Sequence, residues 1–349
     1  MLSTRTRNIR SRKDLRGLID GYRIIVSTVS SIVGKPELLQ LKSFQRVIID
    51  EASQILEPML VGLLPHFERF ILIGDHKQLP AVVTQDPKSS GVNDESLQAV
   101  GLNNLRNSLF ERLFKRCKEA GWDWAFAQLR HQGRMHRQIM DFPNQHFYEH
   151  TLDILPEGIP VRERQLRAGF LPAFTTDDEL HHRLASERMI FLPTPIDEST
   201  PLQKTNQYEA ALIGKLVQTF IGIYTRNGEP LQADRIGVIT PYRAQIAQIR
   251  HVLEQLNIDP DLITIDTVER YQGGARDVIL LSLCTNSARQ IELLSTLSDE
   301  GVDRKLNVAL TRAREQIIVL GNKELLSRHE VYRNLLTYCG EEDVIGERH

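Results

Sequence analysis

Apolar residues along the chain gather into short runs rich in β-branched side chains, at Arg23–Thr28, Arg46–Asp50, Phe70–Gly74, Met189–Leu192, Arg235–Thr240, Leu262–Asp266, Asp277–Cys284 and Gln316–Leu320. Segments with apolar positions at helical spacing separate many of them. Unbroken apolar runs alternating with helices predict parallel strands covered on both faces, an α/β architecture. Ligands of such folds collect at the carboxyl ends of the strands, so the polar residues that follow each run are the ones to weigh for chemistry. Even the run ending at Cys284 falls far short of the roughly 20 apolar residues that cross a bilayer, and no membrane partner is expected. The stretch from Asp153 to Glu187 has no strong period of either kind and reads as an irregular insertion at about 153–187, while Lys323–Tyr338 reads as a helical terminus packing on the second domain.

Length and composition narrow the class. A chain of 349 residues predicts two domains, and 41% hydrophobic with 25% charged residues supplies real cores, which excludes disorder and collagen-like architecture. Cys117, Cys284 and Cys339 are too few and too scattered for a disulfide framework or a zinc site, which fits a reducing, cytoplasmic setting. The adjacent His181 and His182 lack a ligand set at metal spacing and read as surface residues. With a formal net charge of -2, any nucleic-acid partner must be held by local basic clusters. One such cluster, Arg5, Arg7, Arg10, Arg12, Lys13 and Arg16, reads as an exposed helix leading into the first apolar run.

Two strand ends carry candidate chemistry. In Val47-Ile48-Ile49-Asp50-Glu51-Ala52-Ser53-Gln54, adjacent acids follow an apolar run; one can hold a nucleotide's magnesium and its neighbour can activate water, although the same pair also reads as a solvated helix start. In Ile71-Leu72-Ile73-Gly74-Asp75-His76-Lys77-Gln78-Leu79-Pro80, Gln78 can sense a γ-phosphate or its attacking water, with Gly74 and Pro80 suited to a rigid turn.

Taken together these segments resemble the Walker B and sensor motifs of superfamily 1 helicases, in their up-frameshift-like branch. The resemblance continues in order through Arg130-His131-Gln132-Gly133-Arg134-Met135-His136, the helix opening Asn206-Gln207-Tyr208-Glu209-Ala210, and Gly237-Val238-Ile239-Thr240-Pro241-Tyr242-Arg243-Ala244-Gln245. Asp266-Thr267-Val268-Glu269-Arg270-Tyr271-Gln272-Gly273-Gly274-Ala275-Arg276-Asp277 is similar to motif V, and Leu306-Asn307-Val308-Ala309-Leu310-Thr311-Arg312-Ala313-Arg314 to motif VI. The series covers roughly residues 20–320. Gly133 stands where the family usually has a stacking tyrosine, and Ala275 where motif V commonly has a glutamate.

The resemblance implies two RecA-like P-loop NTPase domains with parallel sheets. The first, residues 1–127, is incomplete at its amino terminus and carries the Walker B and sensor motifs; the second, 128–340, carries the arginine fingers and motifs V and VI. It further implies an ATP-dependent helicase or translocase that couples hydrolysis of ATP, with Mg2+, to movement 5′ to 3′ on single-stranded DNA or RNA. Asp50 would hold magnesium, Glu51 would activate water, Gln78 would sense the γ-phosphate, and Arg134 and Arg312 would complete the site as fingers, a role worth about 10³–10⁵ in rate. Arg314 reads as structural. Ser27, Thr28, Thr240, Arg243 and Gln272 match positions that touch the strand, and each also reads as an ordinary cap or turn residue.

One motif is missing. No Gly-x-x-x-x-Gly-Lys-Ser/Thr loop occurs in the sequence: Gly34-Lys35 precedes Pro36, and Gly214-Lys215 precedes Leu216. The chain therefore looks like the carboxyl-terminal part of a longer helicase, with the phosphate loop expected on an upstream segment or a separate chain. A non-hydrolysing nucleic-acid-binding scaffold derived from such a motor, and an inactive truncated fragment whose incomplete first sheet exposes apolar surface, are the competing readings.

Overall fold

The computed structural model describes residues 12–83, 89–170, 179–199, 204–228, 231–271, 274–295, 297–298 and 301–340. The chain divides into two compact units, Met1–Ala127 and Gln128–His349. No helix among the described residues is long and apolar enough to cross a membrane.

In the first unit, β1 (Arg46–Ile49) and β2 (Arg69–Leu72) pair in parallel, with Ile48 beside Ile71 and Ile49 beside Leu72. Side chains alternate across a sheet. Val47, Ile49 and Leu72 pack with Ala52, Leu60, Leu63 and Leu109, and the opposite face is left bare, with Ile48 64% and Ile71 52% exposed. The expected first strand, Arg23–Thr28, is unpaired, and its Ile24 and Val26 are exposed. A strand needs a neighbour for its amides, and none of the described residues supplies one here. The chain instead enters the short helix Val29–Val33, for which Thr28 is the N-cap, accepting from the Ser31 amide at 3.2 Å.

The second unit is built on a five-stranded sheet in the order β5-β9-β8-β6-β7, made of Met189–Pro193, Ala313–Gly321, Arg276–Ser282, Ile236–Ile239 and Thr264–Asp266, and every pairing is parallel. Ile236, Val238, Val278, Leu280, Ile318 and Leu320 point into a core shared with the helix Gln207–Arg226; the alternate residues Ile239, Ile279, Leu281, Ile317 and Val319 are buried as well. Burial on both faces is why these strands read as unbroken apolar runs. The helix buries Ile213, Leu216, Val217, Phe220, Ile223 and Tyr224, one stripe at helical spacing, and Asn206 caps it by accepting from the Glu209 amide at 2.9 Å. The stretch read as irregular holds order: β4 (Asp153–Ile154) pairs in parallel with β3 (His131–Gln132), and short helices span Val161–Leu166 and Glu179–Ser186. Each is too short to print a periodicity on the sequence.

Candidate functional site

In the first unit the polar residues after β1 and β2 form one connected pair of turns. Asp50 directly follows β1, and one of its carboxylate oxygens accepts the Glu51 amide at 3.0 Å. Glu51 takes a left-handed backbone, φ 52°, a conformation that costs a non-glycine residue about 1 kcal/mol and that turns the chain sharply into the 3-10 turn Ala52–Gln54. The Ala52 amide then bonds the Ile73 carbonyl at 2.8 Å, pinning the acidic turn to the chain that follows β2. Both carboxylates are exposed.

Ser53 carries the second link. Its hydroxyl accepts the Asp75 amide at 3.3 Å, and a Cβ placed on Gly74 would stand 2.9 Å from the Ser53 amide nitrogen, so only glycine lets the two turns lie this close. Asp75 organises the rest: it accepts the Lys77 amide at 2.9 Å and the Gln78 side-chain amide at 2.8 Å. The three expected residues of this unit, Asp50, Glu51 and Gln78, thus sit on two turns fastened to each other. Ser53 and Asp75 were not singled out from the sequence, where a serine and an aspartate in turns carry no special signal.

In the second unit Arg134 and Arg312 come together although far apart along the chain. Arg134 Nη1 donates to the Thr311 carbonyl at 3.2 Å, on the residue before Arg312. Arg312 is 2% exposed; its Nε donates to the Val308 carbonyl at 3.2 Å and its Nη2 to the Thr311 hydroxyl at 3.3 Å. Arg314 pairs with Asp277 at 3.2 Å, beside Arg235 on the same carboxylate at 2.9 Å. The loop bearing Arg134 is closed on itself by Gln132, whose side-chain carbonyl accepts the amides of Arg134 and Met135 at 2.9 and 2.7 Å.

His136 ends that loop and caps the helix Arg137–His146. Its Nδ1 accepts the Gln138 amide at 3.2 Å, and its Nε2 lies 3.0 Å from the Arg167 carbonyl, which assigns the proton to Nε2. Burial, with the Arg188 charge nearby, pushes the imidazole down to about 4, so it caps as the neutral ring.

The expected strand-contacting residues are scattered. Arg243 is exposed and lines an open depression of about 350 Å3 with Ile246, Ile265, Asp266 and Arg270. Thr240, by contrast, is 0% exposed, and its amide donates to the Asp266 carbonyl at 3.2 Å. The end of β6 is covered by its own unit's chain, so this side chain is not offered to a strand in the described conformation. Ser27 and Thr28 are exposed but end no strand; Ser27 donates to the Thr28 carbonyl at 3.2 Å and Thr28 serves as a cap. Gln272 lies outside the described residues.

A buried polar knot holds the strand ends of this unit. Glu209, fully buried, accepts from the Ser282 hydroxyl at 2.6 Å and from the Cys284 and Thr285 amides at 2.8 and 3.3 Å. Gln245 joins it through Ser282 at 3.3 Å and bonds both the amide and the carbonyl of Asn206. Desolvation raises the Glu209 carboxyl to about 7 against the pull of its donors. Cys284 sits in the left-handed region, φ 51°, and burial raises its thiol well above the usual range.

Among the described residues no group of three or more His, Cys, Asp or Glu side chains is placed to hold a metal. A cation at Asp50 would be one that takes most of its oxygens from water and phosphate, as magnesium does. The exposed carboxylate pair fits that demand.

A family model described as an AAA domain matches residues 105–324, and a second of the same description matches residues 2–86. The chain is 30% identical over 354 residues to the DNA replication ATP-dependent helicase/nuclease DNA2 of Bos taurus, an alignment covering 98% of this chain and 30% of that protein. It is 32% identical over 313 residues to the regulator of nonsense transcripts 1 homolog of Arabidopsis thaliana, covering 87% and 22%, and 30% identical over 338 residues to the DNA polymerase alpha-associated DNA helicase A of Saccharomyces cerevisiae, covering 91% and 45%. It spans less than half the length of each of these relatives. The order of motifs, the parallel sheets and the matched relatives agree: the chain belongs to the superfamily 1 helicases, in their up-frameshift-like branch.

Proposed function

We propose that this chain is the carboxyl-terminal motor portion of an ATP-dependent helicase, coupling ATP hydrolysis to movement along single-stranded DNA or RNA. The observation that carries the reading is that two guanidinium groups from distant motifs bond one residue, Arg134 at the Thr311 carbonyl and Arg312 at the Thr311 hydroxyl. Bound ATP with Mg2+ supplies the phosphoryl group and neutralises charge on its oxygens. Asp50 would hold that cation. Glu51 takes the proton of the attacking water, and Gln78, steadied by Asp75, orients that water. Arg134 and Arg312 present positive charge as negative charge builds on the transferring group.

The reading includes a phosphate-binding loop supplied by an upstream segment or a separate chain, and the bare face at Ile48 and Ile71 supports a further element packing on the first unit. Arg243 contacts the strand's phosphates beside Arg270, and Ser27, Thr28 and Gln272 are the remaining candidates, Thr240 being buried.

A second reading, a non-hydrolysing nucleic-acid-binding scaffold, draws on the burial of Arg312. Turnover of ATP by the full chain, measured with and without a single-stranded oligonucleotide, separates the two. Stimulated turnover that disappears in Glu51→Gln, and in Arg312→Ala with strand affinity retained, supports the motor. Strand binding without turnover, in the chain alone and with a phosphate-loop segment added in trans, supports the scaffold.

A further inference from the structure

The loop that carries Arg134 is held by side chains from a helix about thirty residues downstream. Arg164, on the helix Val161–Leu166, donates from Nη2 to the carbonyls of Gly133 and Arg134 at 2.9 and 2.8 Å. Its Nη1 donates to the carbonyl of Arg314 at 3.3 Å. Gln165, 0% exposed, donates to the carbonyls of Gln132 and Met135 at 2.7 and 3.1 Å, while its own carbonyl accepts the Leu155 amide at 3.0 Å. Two consecutive residues therefore occupy all four carbonyls from Gln132 to Met135. The Arg134 loop also reaches β9 through its backbone, where the His136 amide donates to that same Arg314 carbonyl at 2.8 Å.

We infer that Arg164 is a positioning residue that fixes the spacing between the Arg134 loop and the segment bearing Arg312. Its planar guanidinium has donors on two nitrogens and so reaches both segments at once, which a lysine ammonium at one point cannot reproduce. Glu315 adds an ion pair to Arg164, 3.6 Å from the same Nη1. A guanidinium that must meet charge developing on a transferred group is sensitive to displacement; an error near 1 Å costs about 10²-fold in rate. The segment 153–187, silent as a sequence, thereby acquires a role in the chemistry of Arg134.

The inference rests on the proposed hydrolysis for its kinetic consequence and on the geometry alone for its structural one, so two measurements on the full chain are paired. In the first, Arg164→Ala lowers the kcat of ATP turnover about 10²-fold with nucleotide KM little changed, Arg164→Lys recovers part of the loss, and adding Arg164→Ala to Arg134→Ala costs nothing further. Guanidinium ion at sub-denaturing concentration restores turnover to Arg164→Ala. In the second, which needs no turnover, amide hydrogen exchange at residues 133–136 speeds up in Arg164→Ala and Arg164→Lys while the five-stranded sheet keeps its protection. Unchanged exchange at 133–136 overturns the inference outright, as does a kcat unaffected by Arg164→Ala in a chain inactivated by Arg134→Ala. Absence of turnover even with a phosphate-loop segment supplied counts against the proposed function, and the exchange result then decides the positioning role alone.

Discussion

Replacing Glu315 by glutamine removes the counter-charge from a guanidinium that has no route to water. The Arg188 side chain is 0% exposed, and its Nη1 lies 2.6 Å from Glu315 Oε2. Its other bonds run to neutral carbonyls: Glu315 at 3.1 Å, Arg167 at 2.9 Å and Gly169 at 2.8 Å. Those three survive the substitution, so what is lost is chiefly charge compensation. Burial pulls the Arg188 pKa down and the Glu315 carboxylate pushes it back. Deleting one partner of a buried pair costs about 3–5 kcal/mol, and the surviving carbonyls put Glu315→Gln near the lower end, about 3 kcal/mol. Arg188→Met should cost less, because the orphaned carboxylate keeps Arg167 at 3.3 Å and Arg164 at 3.6 Å. Arg188→Met with Glu315→Leu removes both charges and should regain most of the loss. Urea unfolding followed by far-ultraviolet circular dichroism measures the shift as a lower midpoint at constant slope. Both tryptophans, Trp122 and Trp124, lie in the first unit, so their fluorescence serves as an internal control that should not move. A loss below about 1 kcal/mol, the range of an exposed pair, would falsify the assignment of Glu315 as the charge that makes Arg188 tolerable; so would a double variant no better than Glu315→Gln.

Two further outcomes follow from the packing. Glu209 has a folded pKa of about 7 against an ordinary 4.5, so its contribution to stability is complete below 4.5 and is lost as pH rises through about 7. Unfolding midpoints of Glu209→Gln should therefore lack the decline, about 3 kcal/mol, that the unmodified chain shows across that window, and an identical decline in both proteins would exclude Glu209 as its source. Gly237→Ala drives a Cβ into the Tyr271 hydroxyl and to 2.9 Å from Arg276 Cγ. Tyr271 must give up its 3.2 Å bond to the Thr264 carbonyl, at a cost of about 1–3 kcal/mol in unfolding free energy; Tyr271→Phe in the same chain should recover part of it, and no recovery would place the strain elsewhere.

Much of the fold is legible along the chain because it follows from local pattern. Runs such as Val278–Leu281 and Ile317–Leu320 are apolar at every position because both faces of their sheet are covered, and that signature needs no knowledge of the partner strands. The cap at Asn206, the acidic turn at Asp50 and Glu51, and the glycine at 74 are likewise local. Arg23–Thr28 shows the limit: its composition is that of a strand, but pairing depends on a neighbour that no local pattern encodes.

What the sequence determined by itself is the parallel α/β class, the order of the helicase motifs and the residue types able to handle a phosphoryl group. Tertiary structure alone decided which of those residues meet. Arg134 reaches the Thr311 carbonyl, Thr240 is shut inside, Gln245 turns inward to the Glu209 knot, and Arg164 from an unremarked helix grips the Arg134 loop. The physical reason is that periodicity records which side of an element faces the core, whereas hydrogen bonds between side chains and distant carbonyls depend on distances set only when the elements pack.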